Sequence, residues 1–496
     1  MAKSSVGDSN YTTEVKALLA QIDDIKPQKP SVYQHASAYF ESWSNIQAII
    51  KDYKEKIAKR QKKLESESKK KNIAKLNSEI EKIQSDLEKY KAAQDEERLV
   101  RHEHLKDVCY QILALTEGAN AEDTRKKSAK LLGTIQLISP TEGKKIAAVN
   151  ERHKHLYKAV LCLRLVDRMY TENLIESTYI RSKINGGKQT DIESLAEKNP
   201  KAYKVFQDHI QIPLLMAALL QDIGNYHPDA QAILTGAEQN LDPFRVLPTE
   251  ERKALLQINY RETLRYATSG IGVGQYVGNS KAERDQFIED EKASLALIRT
   301  FLKSWVNANK GIGNFLKVPQ LYTSIILSTK NSYSYELLPK VYNVLRKNAE
   351  MGGCNPQAVE SLLAITGHFP QGFGVTYIPV NSDFQELDRY EYAIVNDLYP
   401  KHPWEPICRS ATRNLQFISH GSDLIISLDK NLYIPGTAKK LERIKPERLH
   451  EILKILSSNY LERKELDLIP KCWHPREFFS MKKNQNIWNK AKVVRI

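Results

Sequence analysis

Ala217-Ala218-Leu219-Leu220-Gln221-Asp222-Ile223-Gly224-Asn225-Tyr226-His227 is the stretch on which the reading of this 496-residue chain turns. An uninterrupted apolar run, Ile212 to Leu220, leads into it. That run is too short to cross a bilayer and reads as a buried helix. Asp222 stands where this helix should end. An Asp there, followed by Ile-Gly, is expected to bond backbone donors or to cap the next turn. Gln221, just before it, brings a neutral amide to the end of an apolar face.

The stretch resembles the LLHDIGK signature of the HD superfamily of metal-dependent phosphohydrolases, in particular its HD-GYP branch, the cyclic-di-GMP phosphodiesterases. Gln221 stands at the signature's histidine and Asn225 at its lysine. Downstream, Leu247 to Tyr260 resembles the family's TPEEFEIIKTHP helix, with Asn259 at the metal-binding histidine. The counterpart of HHERxDGxGYP is Trp305 to Asn314, which keeps glycines and offers Asn307 or Asn309 but has no His-His, Glu or GYP. Val318 to Ile325 resembles the VADVYDAL helix, with Gln320 at the metal-binding Asp. Asn355 to Ile365 and Gly367 to Val375 are similar to FDPxVVxALLxxxGxYPxGxxV. Tyr392–Val395, Pro406–Arg409 and Asn431–Ile434 resemble the family's β-rich tail, and His155 heads a helix like its HSxRVA. The likeness spans roughly residues 150 to 435.

The resemblance implies a phosphodiesterase fold whose catalytic centre has been dismantled. Phosphodiester hydrolysis at such a site needs ions that acidify a water and clamp the attacking and leaving oxygens. Among Gln221, Asp222, Asn259, Asn307 or Asn309, and Gln320, only Asp222 keeps ligand chemistry, and a lone carboxylate cannot hold two metals. Amides preserve the shape and hydrogen bonding of a buried polar cluster without a compensating cation. The expectation is therefore no catalytic residue, no metal and no cofactor. The alternative is an active phosphohydrolase with a rearranged site built on Asp222, His227 and His209. The pairs His102/His104 and His153/His155 sit two apart and do not face each other on a helix, so neither should chelate.

Hydrophobic residues make up 41% and charged residues 27%, as in a soluble protein. The N-terminus lacks the apolar core of a secretory signal. Five scattered cysteines, Cys109, Cys162, Cys354, Cys408 and Cys472, suggest neither a disulfide framework nor a zinc site. A cytoplasmic setting fits, with no membrane contact. Net charge is +14, which raises nucleic acid as a further alternative partner. The charge concentrates in Lys59–Lys71 and Met481–Ile496, and neither interleaves aromatics as single-strand binders do. A solvated helix face and a basic tail are the simpler reading.

The expected fold is mainly α. A polar segment 1–35, with a short helix near Thr12–Ile22, precedes a helical, coiled-coil-like region 36–145. There Ile73, Leu76, Ile80, Ile83, Leu87 and Tyr90 recur at steps of three and four. Ile50, Tyr53, Ile57 and Leu64 form a second stripe, and the phase breaks across Ser66–Lys71. An antiparallel hairpin and a stuttered coiled coil both fit. This region is expected to meet a protein partner or a second copy, or else to close within one chain. Residues 120–150 read as mixed helix and turn. An all-helical domain 146–373 includes an Asn185-Gly186-Gly187 turn and a flexible Gly270–Gly278 loop. A small β-rich extension 374–440 and a C-terminal helix with basic tail, 441–496, complete the chain. The resemblance points to an inactive signalling, scaffold or adaptor protein; without a GYP loop, a cyclic dinucleotide is not the expected ligand.

Overall fold

The computed structural model describes residues 6–24, 29–184, 186, 192–306, 311–457, 460–465 and 467–496. The chain is mainly α-helical, with a small C-terminal sheet. Its first helices are α1 (Asn10–Ile22), α2 (Val32–Glu65), α3 (Lys70–Thr116), α4 (Ala121–Ile138) and α5 (Ile146–Thr171). Among the described residues, no helix is long and apolar enough to cross a membrane. The chain forms two compact units. Unit 1 comprises Met1–Asp24, Cys109–Leu219 and Lys303–Ile496, and unit 2 comprises Ile25–Val108 and Leu220–Leu302.

Unit 1 is organised around α5, whose residues His155 to Asp167 are all buried. A helix apolar on nearly every side can only sit inside. It packs against α1, α4 and the Asn314–Ile326 and Pro356–Thr366 helices. Arg164 interrupts its apolar run and is 1% exposed. The guanidinium meets Asp167 at 2.9 Å and also bonds Glu117, which accepts from the Tyr203 hydroxyl as well. Residues 120–150, expected as mixed helix and turn, comprise α4, the turn through residues 139–145 and the first residues of α5. Asn120 caps α4 by accepting from the Asp123 amide at 3.0 Å. All five cysteines are buried, and none is in a disulfide.

The sheet belongs to unit 1. Its strands are β1 (Gly374–Tyr377), β2 (Glu391–Val395), β3 (Ile407–Ser410), β6 (Asp423–Ile425), β7 (Cys472–Trp473) and β8 (Val493–Arg495), in the order β7-β1-β2-β3-β6-β8. The short pair β4 (Thr412–Arg413) and β5 (Gln416–Phe417) stands apart. Adjacent strands run antiparallel except β6 and β8. Tyr392 stacks on Trp473 at 4.6 Å and 7° over a core that includes Ile394, Leu449 and Phe479.

The basic segment Met481–Ile496 is thus not a free tail. Val493–Arg495 extends the sheet, and Gln485 accepts from the Ser9 amide at 2.7 Å and the Thr12 hydroxyl at 2.8 Å. Only Val493 and Val494 hint at a strand there, too little for a periodic signal.

In unit 2, α2 and α3 fold back on each other as an antiparallel hairpin; Ser66–Lys71, where the phase breaks, lies at the reversal. A capping box between Ser31 and Gln34 opens α2. Across the hairpin Tyr53 meets Tyr90 at 6.4 Å, and Arg60 bonds Glu79 at 2.9 Å. Ile80 and Leu87 are 8% and 5% exposed, so the α3 stripe is covered by its own helix pair. The Gly270–Gly278 segment, expected to be flexible, is fastened. Arg98 donates to the carbonyls of Ile271 and Val273, Arg101 donates to Gly270, and the Gly274 amide donates to Glu291 at 2.7 Å. A π-helical turn, Tyr266–Ile271, turns these carbonyls out of the regular helical pattern.

Candidate functional site

The apolar helix Ile212–Leu220 ends at Gln221, and a short 3₁₀ turn, Ile223–Tyr226, follows Asp222. This turn packs on the Thr249–Arg265 helix, which carries Asn259. Gly224 makes that approach possible. A Cβ there would lie 2.3 Å from the Asn259 carbonyl oxygen and 2.8 Å from its Cα. The Gly224 amide donates to Thr263 Oγ1 at 3.1 Å, and that hydroxyl donates to Asn259 Oδ1 at 3.2 Å. Asn259 Nδ2 reaches toward the Gln221 carbonyl at 3.5 Å. Gln221 is 0% exposed and Asn259 4%. The Gln221 side-chain amide has no hydrogen-bond partner among the described residues.

His227 caps the Pro228–Thr235 helix, its Nδ1 accepting from the Asp229 amide at 3.2 Å. Because Nδ1 accepts, the ring proton of the neutral form sits on Nε2. That nitrogen faces Glu262, 3.9 Å away. Glu262 is 0% exposed, and Arg261 and Arg265 hold it at 2.6 and 2.8 Å. Asp222 stands at the N-cap of the 3₁₀ turn without a side-chain capping bond, so of the two roles expected for it the cap is not taken. It is half-buried, and its carbonyl serves the turn, accepting from the Asn225 amide at 3.1 Å.

Gln221, Asp222, Asn259 and His227 belong to unit 2, whereas Gln320 and His209 belong to unit 1. Gln320 is half-buried on the Asn314–Ile326 helix, directly after an internal Pro319. His209 lies on the π-helical turn Gln207–Gln211. Asn307 and Asn309, and Asn185 and Gly187 of the expected turn, lie outside the described residues. The histidine pairs diverge as their spacing requires. His102 faces Glu291 at 3.3 Å while His104 meets His35, and His153 meets Ser139 while His155 is buried in the unit 1 core.

The iron or manganese implied by the HD-GYP resemblance does not fit these residues. At the matched unit 2 positions Gln221 and Asn259 offer only amides, Asp222 is the single carboxylate, and the Nδ1 of His227 is engaged as a helix cap. Among the described residues, no three His, Cys, Asp or Glu side chains gather as a metal site would need. What the cluster does provide is a hydrogen-bonded seam between the 3₁₀ turn and the Thr249–Arg265 helix. Sequence reading missed Glu262 and its arginines, although Arg265 one turn after Glu262 is a spacing that pairs charges. It also missed Arg164, whose place inside an apolar run was signal enough for a buried, paired charge.

No protein-family model, curated protein or solved structure matches the chain.

Proposed function

We propose that this chain is a catalytically inactive HD-GYP-like protein serving as a scaffold or adaptor in bacterial cyclic-di-GMP-type signalling, in the cytoplasm. The observation that carries the reading is the buried Gln221–Asn259 seam. Where the resembled family places metal-binding imidazoles, this chain has neutral amides, and Asn259 is bound into the local packing by Thr263. Hydrolysis of a phosphodiester without ions to acidify water and clamp the oxygens would lose the main source of its rate. Partner contact is assigned to the N-terminal helices. Since the α3 stripe is covered by α2, the contact would use the outward, charged surface of the hairpin, where Lys59, Lys62, Lys63 and Lys69 to Lys71 are exposed.

Elemental analysis of the purified protein, together with an assay for cyclic-di-GMP turnover, tests the reading. Substoichiometric iron, manganese and zinc with no turnover are expected. One or more tightly held metals per chain, with turnover abolished by a chelator, would overturn it in favour of a rearranged site.

A further inference from the structure

Residues 140–145 connect α4 to α5 and wall a cavity of about 470 Å³ within unit 1. Four cations from three separate parts of the chain share it: Lys16 of α1, Lys144 and Lys145 of the connection, and Arg476 of the Arg476–Ser480 helix. Glu142 is the one acid lining it among the described residues. Lys16 is bridged to Asp8 at 2.6 Å, while Lys144, Lys145 and Arg476 form no ion pair among the described residues. Ile138, Pro140 and Val149 give the cavity an apolar wall. Four cations around one space lined by a single acid cost electrostatic energy, and a bound anion would offset it.

His153 also lines the cavity. Ser139 Oγ lies 2.6 Å from the Ile135 carbonyl and 2.7 Å from His153 Nδ1. The single hydroxyl proton goes to the carbonyl, so Nδ1–H donates to Ser139 and Nε2 is left with a lone pair. Burial, reinforced by Arg152 and Lys16, lowers the His153 pKa to about 4, so the ring is neutral near pH 7.

We propose that this cavity is a binding site for a small, multiply charged phosphate-type anion. Arg476 offers a planar fork of donors and the lysines offer point charges, the combination that recognises phosphoryl oxygens. An anion seated beside His153 offsets the field of Arg152 and Lys16 on the ring. The ring then takes up a proton and donates through Nε2. Glu142 and the four cations are all exposed, so solvent screens them alike and the ligand meets the excess of positive charge. This inference stands independently of the HD-GYP-like reading.

Isothermal titration with sodium pyrophosphate in low-salt buffer at pH 6 tests it. The comparison is between the wild-type chain, Lys145→Glu/Arg476→Glu, and a control with the same charge change on the hairpin, Lys62→Glu/Lys63→Glu. Saturable binding is expected. The cavity pair should weaken it at least about tenfold and the control less than about threefold, a gap that net charge alone cannot produce. Repeating the titration in buffers of different ionisation enthalpy should show more proton uptake in the wild type than in His153→Gln. The proposal is overturned by the absence of saturable heat, by equal weakening in the two charge-reversal pairs, or by equal proton uptake with and without His153. Lys144→Gln/Lys145→Gln, milder at these exposed positions, guards against misfolding of the charge-reversal variant.

Discussion

Gly224 and Asn259 meet backbone to backbone, so closely that a single methyl group on Gly224 would stand 2.3 Å from the Asn259 carbonyl oxygen. The contact seats the 3₁₀ turn on the Thr249–Arg265 helix and places the Gly224 amide on Thr263. Gly224→Ala cannot be absorbed by a side-chain rotation, because the obstructing atoms are main chain. The two elements must separate, at a cost of about 1–3 kcal/mol. A fall in melting temperature checks this. An unchanged melt would show that the turn and helix are not held together as described.

A second prediction concerns Arg164. Burial opposes its charge, but Glu117 and Asp167 overcome that and hold the guanidinium pKa above its ordinary value. Arg164→Met leaves both carboxylates buried without their cation. Removing one partner of a buried pair costs about 3–5 kcal/mol. Denaturant unfolding should show a loss of that size. Replacing the whole group with apolar residues of similar volume should restore much of it, because then no charge is left stranded.

Periodicity carried the parts of this architecture that depend on near neighbours in the chain. The Ile73–Leu87 stripe and its mate on α2 were legible because an apolar seam repeats at heptad spacing. The helical character of the region after Ile146 was legible, and so was the sheet, from β-branched and aromatic residues after Gly374. Features set by distant partners were not. Nothing local marks Val493–Arg495 as a strand, since its partner Asp423–Ile425 lies far back in the sequence. Nor does the chain reveal that Arg98 and Arg101 fasten the Gly270–Val273 carbonyls. At the candidate site, Gln221, Asp222 and Asn259 were identified by position. That the Asp222 side chain leaves the 3₁₀ turn uncapped and His227 caps the next helix is a matter of geometry a few residues on.

His368 and His153, both in unit 1, predict an acid-sensitive fold. His368 stacks on Trp404 at 3.7 Å and donates from Nδ1 to the Pro339 carbonyl at 3.2 Å. Burial lowers its pKa to about 4, as it does for His153. In the unfolded chain both rings take up protons as pH falls through the ordinary value of 6.5. In the folded chain they resist until about pH 4. Stability is therefore full above pH 6.5 and declines as pH drops toward 4, each ring contributing on the order of 1–3 kcal/mol. His368→Phe keeps the stacking partner and removes the titration. Its melting temperature should fall less between pH 7 and pH 5 than that of the wild type, and an identical pH slope would count against the buried neutral ring.

The final prediction separates the hairpin's internal packing from its outward surface. Ile80 and Leu87 are covered by α2 within one chain, so Ile80→Asp/Leu87→Asp places two carboxylates in an apolar seam, each at a cost of roughly 1 kcal/mol or more. The expected consequence is local. Far from the reversal, α2 is held by the Tyr33, Tyr39 and Phe40 contacts with Tyr226 and Tyr266, and α3 by Arg98 and Arg101 on the carbonyls of Gly270, Ile271 and Val273, all of which the double substitution leaves in place. Nearer the reversal the helices rely on their shared stripe and on pairs such as Arg60–Glu79, so that segment should fray and become open to protease between about Tyr53 and Tyr90. If the stripe instead served a partner, the substitution would alter mass by light scattering and leave cleavage unchanged. Charge reversals confined to exposed Lys62 and Lys63 should do the opposite, sparing the hairpin from protease while weakening any contact made by its outer face.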